Sequence, residues 1–391
     1  MDARIILVTI FVVVLNGAFA ALQIGLLKRR KPWPRWLGIT VGIWGALMSG
    51  LFVLEVFAPN AWQPFLRHWF YFPIAVEMVW NVLFLQFLAL GMILVTLVVG
   101  RLRPVKNMVP ASPTDLSRRK FIYLVSYGAV PAVALGAGVH GTLTQYDLRV
   151  REFHIPIAGL PPELEGFTIA HVSDLHSGIF CGPKRLKIIS DTANDLKADL
   201  VAVTGDIING GMKELPDALT AIQCIASPHG IYLCEGNHDV FPGHGKVVQA
   251  CIENNLPMLY NSCKIVPVRG RRLLLGGLPW RGRGFQGEPG IVSTLYPERQ
   301  EGDVRILLAH HPHLFDIASS ADLVLAGHTH GGQIMFGSAG LGPIFFKYWS
   351  GLYARGNTTM VVSNGCGDWF PCRIGALAEV GLLRLTAAKV G

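Results

Sequence analysis

The chain has 391 residues, of which 51% are hydrophobic, and its mean hydropathy is +0.41. A soluble globular chain of this length needs fewer apolar residues, so the composition argues against a protein that is water-soluble throughout. The formal net charge is +8 and the pI is about 9.2, but much of the basic excess lies in loops beside apolar segments. We therefore interpret the charge as membrane topology information and expect no nucleic-acid partner.

The residue types are distributed unevenly along the chain. Up to residue 140 there are only four acidic residues, whereas eleven of the thirteen histidines and all seven cysteines lie beyond residue 150. This asymmetry predicts a transmembrane region at residues 1–140 and a catalytic domain at residues 167–391. The stretch 141–166 between them is predicted to be a connector that includes the first strand.

Four apolar runs predict transmembrane helices, at residues 4–26, 37–57, 73–99 and 121–139. A helix that crosses the hydrocarbon core needs about 20 apolar residues, and the first three runs meet that length. Basic loops follow the first and the third run. The positive-inside rule then places these loops in the cytoplasm and everything after about residue 141 outside it. We expect a multi-pass protein of the cell (inner or plasma) membrane with an extracytoplasmic catalytic domain.

The fourth run begins with a basic motif, Ser117-Arg118-Arg119-Lys120-Phe121. This motif resembles a twin-arginine export signal, here placed internally after three spans. An ordinary fourth helix with a basic flank is the alternative, and both interpretations give the same topology.

Beyond residue 167, apolar runs alternate with segments of helical spacing. The pattern predicts strands at 168–173, 199–204, 230–235, 263–267, 272–277, 304–309 and 322–326, and helices at 183–197, 214–226 and 245–254. Two further strands, at 360–363 and 379–385, are expected to complete a second sheet. This alternation predicts right-handed crossovers, with functional side chains gathered at the carboxyl ends of the strands.

Five polar clusters occur in this region, most of them directly after an apolar run. They are Asp174-Leu175-His176, Gly205-Asp206, Gly236-Asn237-His238-Asp239, His310-His311-Pro312 and Gly327-His328-Thr329-His330. Carboxylate oxygens mixed with imidazoles suit Mn²⁺, Fe or Zn²⁺ better than Ca²⁺, and about eight donors indicate two ions that share a ligand. Two such cations polarise phosphoryl oxygens and hold a hydroxide that is nucleophilic at neutral pH. The clusters therefore predict a dinuclear hydrolase.

In this order, D-x-H, G-D, G-N-H-D, H-x-P and G-H-x-H resemble the motif series of calcineurin-like metallophosphoesterases, over roughly residues 165–385. The resemblance implies an α/β fold, a four-layer αββα sandwich. It also implies that Asp174, His176 and His330 hold the first divalent ion and that Asn237, His310 and His328 hold the second. Asp206 would bridge both ions. The run G-H-T-H-G-G-Q-I at residues 327–334 is typical of the bacterial membrane-associated branch.

The remaining candidates concern proton transfer and substrate. His238 lies next to Asn237 and has no place in that coordination scheme, so we expect it to protonate or stabilise the leaving oxygen. We expect Asp239 to orient a neighbouring histidine. Arg281 and Arg283 are candidates for steering a phosphate or anionic headgroup, although an ordinary surface loop explains them equally well.

The predicted function is a membrane-anchored phosphoesterase that cleaves a phosphoester or pyrophosphate bond with a metal-activated hydroxide. Some relatives cleave lipid-linked sugar nucleotides, so the resemblance implies a lipid substrate such as UDP-2,3-diacylglucosamine as one candidate. A phosphatase or phosphodiesterase for soluble nucleotides or cell-wall phosphodiesters is an alternative. A non-catalytic membrane sensor or scaffold stabilised by the metals is another. The sequence leaves the oligomeric state and the native metals open.

Overall fold

The computed structural model describes residues 136–388, apart from residues 138, 142, 145, 179, 283–289, 370 and 371. The chain divides at residue 142 into two compact units, and nearly all described residues belong to the second. The predicted spans 4–26, 37–57 and 73–99 lie outside the described residues, as does most of 121–139. Among the residues that are described, no helix has both the length and the apolar character needed to cross a membrane.

From residue 148 onward, the described part of the chain contains thirteen strands and four α-helices, and helical residues also occur between 136 and 144. The strands are β1 (Leu148–Ile157), β2 (Thr168–Val172), β3 (Leu200–Thr204), β4 (Ile231–Cys234), β5 (Ser262–Val268), β6 (Arg271–Leu278), β7 (Val304–Ala309), β8 (Leu323–Ala326), β9 (Met335–Phe336), β10 (Ala339–Gly340), β11 (Gly351–Arg355), β12 (Thr358–Val362) and β13 (Ala378–Ala387). The helices are α1 (Pro183–Asp195), α2 (Leu215–Gln223), α3 (Lys246–Glu253) and α4 (Leu341–Phe345).

Eleven of these strands form two mixed sheets. The first sheet has the order β1-β13-β2-β3-β4, and the second has the order β11-β12-β8-β7-β6-β5. In the first sheet β2, β3 and β4 run parallel, and in the second β6, β7, β8 and β12 do. Parallel strands that follow one another through crossovers present their carboxyl ends at one edge. This edge is where each sheet places its polar loops.

A continuous apolar core lies between the two sheets. It joins side chains of alternate positions in both sheets, among them Ile169, Leu200, Leu275, Ile306 and Leu325, all of which are fully buried. The opposite positions of the first sheet face the three longer helices. In α1, the buried Leu186, Ile189 and Ala193 recur at helical spacing, and Pro183 starts the helix at a position that needs no backbone N–H donor.

The outer face of the second sheet differs from the expected fourth layer of α-helices. The apolar side chains on this face pack against Leu314, Phe315 and Val292. Among the described residues, the helical segments there are the short 3₁₀ turns Pro312–Ile317 and Ser293–Leu295. The connection from β7 to β8 must also supply His310 and the Pro312 turn, which leaves little chain for an α-helix. The sandwich of two sheets is therefore observed, with one layer of α-helices and a thinner layer of 3₁₀ turns.

The final strand corrects one prediction. We expected residues 379–385 in the second sheet, but β13 lies in the first, parallel to β1 and antiparallel to β2. Six of its ten residues are buried and only one is exposed, as expected for a strand with neighbours on both sides. Its apolar pattern identifies a buried strand but does not reveal which of two sheets will receive it.

Candidate metal centre

The predicted ligands follow the carboxyl ends of five parallel strands. Asp174 and His176 follow β2, and Asp206 follows β3. Asn237 and His238 follow β4, whereas His310 follows β7 and the pair His328 and His330 follows β8. The two sheets thus bring loops from distant parts of the sequence to one place.

The first group contains Asp174, His176 and His330, whose ligand atoms all lie within 4.8 Å of one another. Nε2 of His330 lies 3.4 Å from Asp174 Oδ1 and 3.0 Å from Nε2 of His176. All three side chains are buried. They form a compact set of one carboxylate and two imidazoles, which is a donor set that Mn, Fe and Zn accept.

The second group contains Asp206, His310 and His328, again within 4.8 Å. Asn237 completes it, because its Oδ1 lies 2.7 Å from His328 Nδ1 and 3.2 Å from His310 Nε2. Nδ1 of His310 donates to the Thr204 carbonyl at 2.7 Å, which leaves the lone pair of Nε2 to face the group.

Asp206 lies between the two groups. Its Oδ2 is 3.5 Å from Nε2 of His176 in the first group and 3.2 Å from Nε2 of His310 in the second. The Asp206 carboxylate is therefore within 3.5 Å of an imidazole nitrogen of each group.

The backbone of these loops is strained. Five of the seven predicted ligands have a positive φ although they are not glycines: Asp174 (55°), His176 (44°), Asp206 (50°), His328 (72°) and His330 (49°). Left-handed backbone is unfavourable for such residues and persists where the surroundings impose it, which is often at functional sites. In these loops the fold fixes the direction of the side chains, and the unfavourable backbone conformation lowers the stability of the folded state.

Two motif glycines are required by close approach. A Cβ on Gly236 would collide with the backbone nitrogen of Asp206, and one on Gly327 would collide with the side chains of Ser173 and Asp174. The loops that carry the two groups therefore pack against each other through bare Cα atoms. This explains why glycine precedes Asn237 and His328.

Burial and mutual charge set the protonation of the centre. Burial raises the pKa of Asp174 to about 6, whereas neighbouring histidines, His310 foremost, outweigh burial and hold the pKa of Asp206 well below its usual range. The Asp206 carboxylate in turn raises the pKa of His310 to about 10 despite burial. Burial keeps the pKa of both His176 and His330 well below the ordinary value. The neutral imidazoles of His176 and His330 can accept a divalent cation directly, whereas His310 would have to release its Nε2 proton when a cation binds.

His238 and Asp239 have different surroundings from the ligands. Nδ1 of His238 donates to the Asn209 carbonyl at 2.6 Å, and its backbone nitrogen donates to Asp206 Oδ1 at 2.8 Å. This fixes the tautomer and leaves Nε2 available near Asp206 and His176. Asp239 accepts from the backbone amides of Ile207, Ile208 and Gly236. Its hydrogen-bond partners are thus loop amides and not the histidine ring that we expected.

The substrate-steering loop is described only in part. Arg281 is exposed and its Nη2 donates to Asn261 Oδ1 at 3.1 Å, and Arg283 lies outside the described residues. Arg281 lines a small pocket with Trp280, His310 and His311. The rings of Trp280, His311 and His328 contact one another, with centroid distances of 5.4 Å for Trp280–His311, 4.1 Å for His311–His328 and 6.1 Å for Trp280–His328. Trp280 and His311 therefore pack against a predicted ligand, a contact that the sequence did not reveal.

A buried arginine behind His330 was also missed. Arg373 donates to Asp368 and to the carbonyls of Asn364, Gly367 and Ala376, and its Nη2 lies 3.0 Å from His330 Nδ1. A cation on Nε2 of His330 would require the ring proton to be on Nδ1, where it would repel the Arg373 donor. The contact between Arg373 and His330 would then be lost, and the hydrogen bonds from Arg373 to Asp368 and the three carbonyls would remain. In the sequence, the only signal for Arg373 is that it follows the segment Gly365-Cys366-Gly367-Asp368-Trp369 by a few residues.

His171 in β2 belongs to a buried polar chain that leads to the centre. Its Nε2 lies 2.8 Å from Thr204 Oγ1, which donates to Ser173 Oγ, which donates to Asp174 Oδ2. Because Thr204 uses its only proton on Ser173, His171 donates through Nε2–H. Burial lowers the pKa of His171 to about 3.

This pKa predicts an acid-dependent loss of stability. The unfolded His171 binds a proton below pH ~6.5, but the folded residue does so only near pH 3, so stability falls as the pH falls through that window. The contribution is about 2 kcal/mol at pH 5 and approaches ~4–5 kcal/mol near pH 3. In chelator-treated full-length protein, His171→Gln should flatten this part of the unfolding profile, whereas the exposed His154→Gln should not. Parallel profiles for His171→Gln and wild type would contradict the assignment.

The residues present fit two divalent cations. Two buried carboxylates, four imidazoles and one amide oxygen converge. The Nε2 atoms of His176 and His330 face each other, so without a cation one of these two nitrogens must carry a proton and donate it to the lone pair of the other. A cation that accepts both lone pairs resolves this arrangement.

Comparison with known proteins agrees with this donor set. Residues 167–332 match the family model of calcineurin-like phosphoesterases. An uncharacterized metallophosphoesterase of Helicobacter pylori (strain ATCC 700392 / 26695) is 30% identical over 61% of this chain and 64% of its own length. The uncharacterized metallophosphoesterase YkuE of Bacillus subtilis (strain 168) is 29% identical over 70% of this chain and 99% of its own length. A Danio rerio transmembrane protein with metallophosphoesterase domain is 28% identical over 66% and 63%.

This chain spans less than two thirds of the length of the Helicobacter and Danio relatives. The residues that match the family model include the segment from β2 to β8, which holds every predicted ligand. Residues 167–332 of this chain are therefore similar to the calcineurin-like phosphoesterase family.

Proposed function

We propose that the protein is a dinuclear metal-dependent phosphoester hydrolase. The observation that carries this proposal is the position of Asp206, whose Oδ2 lies within 3.5 Å of an imidazole nitrogen of each donor group. In our assignment Asp174, His176 and His330 hold one cation, Asn237, His310 and His328 hold the other, and Asp206 serves both.

The chemistry follows from this arrangement. When bound, two divalent cations would polarise a phosphoryl oxygen and activate water as the nucleophile. The side chains hold the site rigidly, because strained loops and the His310–Thr204 hydrogen bond fix their directions. His238 is anchored through Nδ1, so its Nε2, once protonated, can deliver a proton to the leaving oxygen and limit the charge that develops there.

Hydrolysis of a chromogenic substrate tests the reaction class. Full-length protein in detergent, supplied with Mn²⁺, should cleave an activated aryl phosphodiester, and a chelator should abolish the turnover until metal is restored. Zn²⁺ and Fe²⁺ in parallel reactions would rank the metals. Stoichiometric metal binding with no hydrolysis of any phosphate ester would favour a metal-stabilised sensor or scaffold instead.

For the finer assignment we propose a membrane-anchored enzyme that acts on a lipid-linked phosphoester. Four apolar runs precede the domain, and the similar Danio rerio and Bos taurus proteins carry the name transmembrane protein. The segment after β8 also exposes large apolar side chains, namely Phe336, Ile344 and Phe345, at 57%, 71% and 70%. Such exposed clusters occur at membrane and lipid contacts.

Two experiments test these finer points. Rates on a detergent-dispersed lipid pyrophosphate, such as UDP-2,3-diacylglucosamine, should exceed those on free nucleotides at equal concentration, and the reverse order would support a soluble substrate. A reporter that is active only in the cytoplasm, fused after Gly391, should stay silent if the domain is extracytoplasmic.

A further inference from the structure

A second pocket, of about 230 Å³, lies beside the turn that carries His330. Its lining includes Arg149, Arg151, Gly331, Trp349, Ser350 and Asn364, and none of the predicted metal ligands. The pocket nevertheless adjoins the centre, because Gly331 directly follows His330. Asn364 also precedes Gly365, whose Cα packs against Asp174 and His330.

The pocket carries an excess of positive charge. Arg149 and Arg151 share one carboxylate, since Nη2 of Arg149 lies 3.0 Å from Glu379 Oε2 and Nη1 of Arg151 lies 3.5 Å from Oε1. The Glu379 side chain is 1% exposed and also accepts from the backbone of Asn364. Among the described residues, Arg149 and Arg151 are the only charged side chains that line the pocket, and Glu379 contacts them without lining it. Two cations against one anion leave one positive charge uncompensated.

The arginines retain hydrogen-bond donors that the described residues do not satisfy. Arg149 uses Nε and Nη2 on Glu379, so Nη1 has no acceptor there. Arg151 uses Nη1 on Ser350 and Glu379, which leaves Nε and Nη2. These side chains are 42% and 32% exposed, and Arg151 is held over the ring of Phe153 at 4.8 Å. The guanidinium groups are therefore partly fixed, with donors left for a ligand.

Asn364 forms part of one wall of the pocket and is 3% exposed. Its Oδ1 has no hydrogen-bond partner among the described residues, but this atom is out of contact with solvent. The groups that a ligand in the pocket would meet are therefore mainly the guanidinium donors, and a ligand with several acceptor oxygens complements them.

We propose that this pocket is an anion site, distinct from the metal centre, which binds a phosphate group. A tetrahedral phosphate presents several acceptor oxygens and matches guanidinium forks in a way that a single carboxylate does not. The cavity also has room for a substituent beyond the phosphate, since a water molecule occupies only about 30 Å³. The phosphate has two sources, a lipid headgroup or a soluble phosphate. The site goes beyond the proposed hydrolysis because it needs neither bound metal nor turnover.

Phosphate binding to metal-free protein tests the site without involving catalysis. Chelator-treated full-length protein in detergent should bind inorganic phosphate at one saturable site in calorimetry. Arg149→Met and Arg151→Met should each weaken binding at least about tenfold, because a charge-assisted hydrogen bond is lost. Arg355→Met is the matched control: this exposed arginine pairs with Asp316 outside the pocket and should bind phosphate like wild type. Absence of binding in wild type, or wild-type affinity in both pocket variants, would overturn the proposal.

A variant of the shared carboxylate gives an effect of opposite sign. Glu379→Gln keeps an acceptor for the backbone of Asn364 but removes the charge that competes for the arginines, so phosphate affinity should rise about three- to tenfold. Unchanged or weaker affinity in folded Glu379→Gln would contradict the charge argument. If that variant does not fold, Arg151→Lys serves instead. It keeps the charge without the fork and should bind with an affinity between those of wild type and Arg151→Met.

Competition separates the two sources. Dihexanoyl phosphatidic acid and glycerol 3-phosphate carry the same phosphate group, with and without acyl chains. Stronger displacement of inorganic phosphate by the lipid would identify a headgroup site, and equal displacement would identify a site for soluble phosphate. Failure of both compounds to compete would contradict a phosphate site in this pocket.

Discussion

Asp206→Asn should lower the turnover of the full-length protein at least ~10³-fold and leave it with at most one tightly bound cation. The carboxylate lies between the two donor groups and is the only acidic side chain within 3.5 Å of both His176 and His310 among the described residues. An amide has nearly the same shape but lacks the charge, so it cannot hold two divalent cations close together. It also deprives His310 of the partner that raises its pKa to about 10.

Metal analysis and initial rates on one preparation would check this result. Asp217→Asn is a suitable control, because Asp217 is an exposed aspartate in the first turn of α2 and has no contact with the centre. The control should retain two cations and wild-type turnover. Two cations and full turnover in Asp206→Asn would show that the carboxylate is not shared, and the assignment of a dinuclear centre would fail.

His238→Ala should lower turnover by about 10²–10⁴-fold on substrates with a poor leaving group while the metal content stays at two. The ring is not part of either assigned donor set, and its Nδ1 is fixed by the Asn209 carbonyl. Proton delivery matters most when the leaving oxygen is basic. The loss should therefore be much smaller on an aryl ester whose phenolate leaves without protonation.

This dependence on the leaving group distinguishes proton delivery from a purely structural role. A variant that merely distorted the loop would lose similar activity on alkyl and aryl esters. His244→Ala, in the exposed part of the same loop, is the control and should behave like wild type on both substrates. Loss of one cation in His238→Ala would instead make His238 a ligand, since its ring lies in one group with His176 and Asp206.

Much of the centre could be predicted because its residues occur in short motifs at strand ends. The alternation of apolar runs and polar loops located β2, β3, β4, β7 and β8 to within two residues. Parallel strands with crossovers present their carboxyl ends together, so the gathering of Asp174, Asp206 and His310 follows from the order of elements. Local patterns were sufficient for this because each ligand is adjacent in sequence to the strand that positions it.

The supporting residues could not be predicted in the same way. His171 sits in an apolar strand and Arg373 in a late loop, and neither lies within a motif that indicates contact with Asp174 or His330. We expected Asp239 to orient a histidine, but its hydrogen-bond partners are backbone amides of two loops. These contacts depend on how separate loops approach each other, which no local spacing records.

The sequence by itself determined which side chains are available to hold cations and at which strand ends they lie, because hydrophobic periodicity and strand-end glycines are local properties. Only the tertiary structure decided that β13 enters the first sheet, that Asp206 lies between two donor groups, and that Arg149 and Arg151 line a pocket behind His330. The physical reason is the distance along the chain over which each effect acts. Propensity and periodicity act over a few residues, whereas sheet membership, shared ligands and charge excess arise from packing between segments that are far apart in the chain.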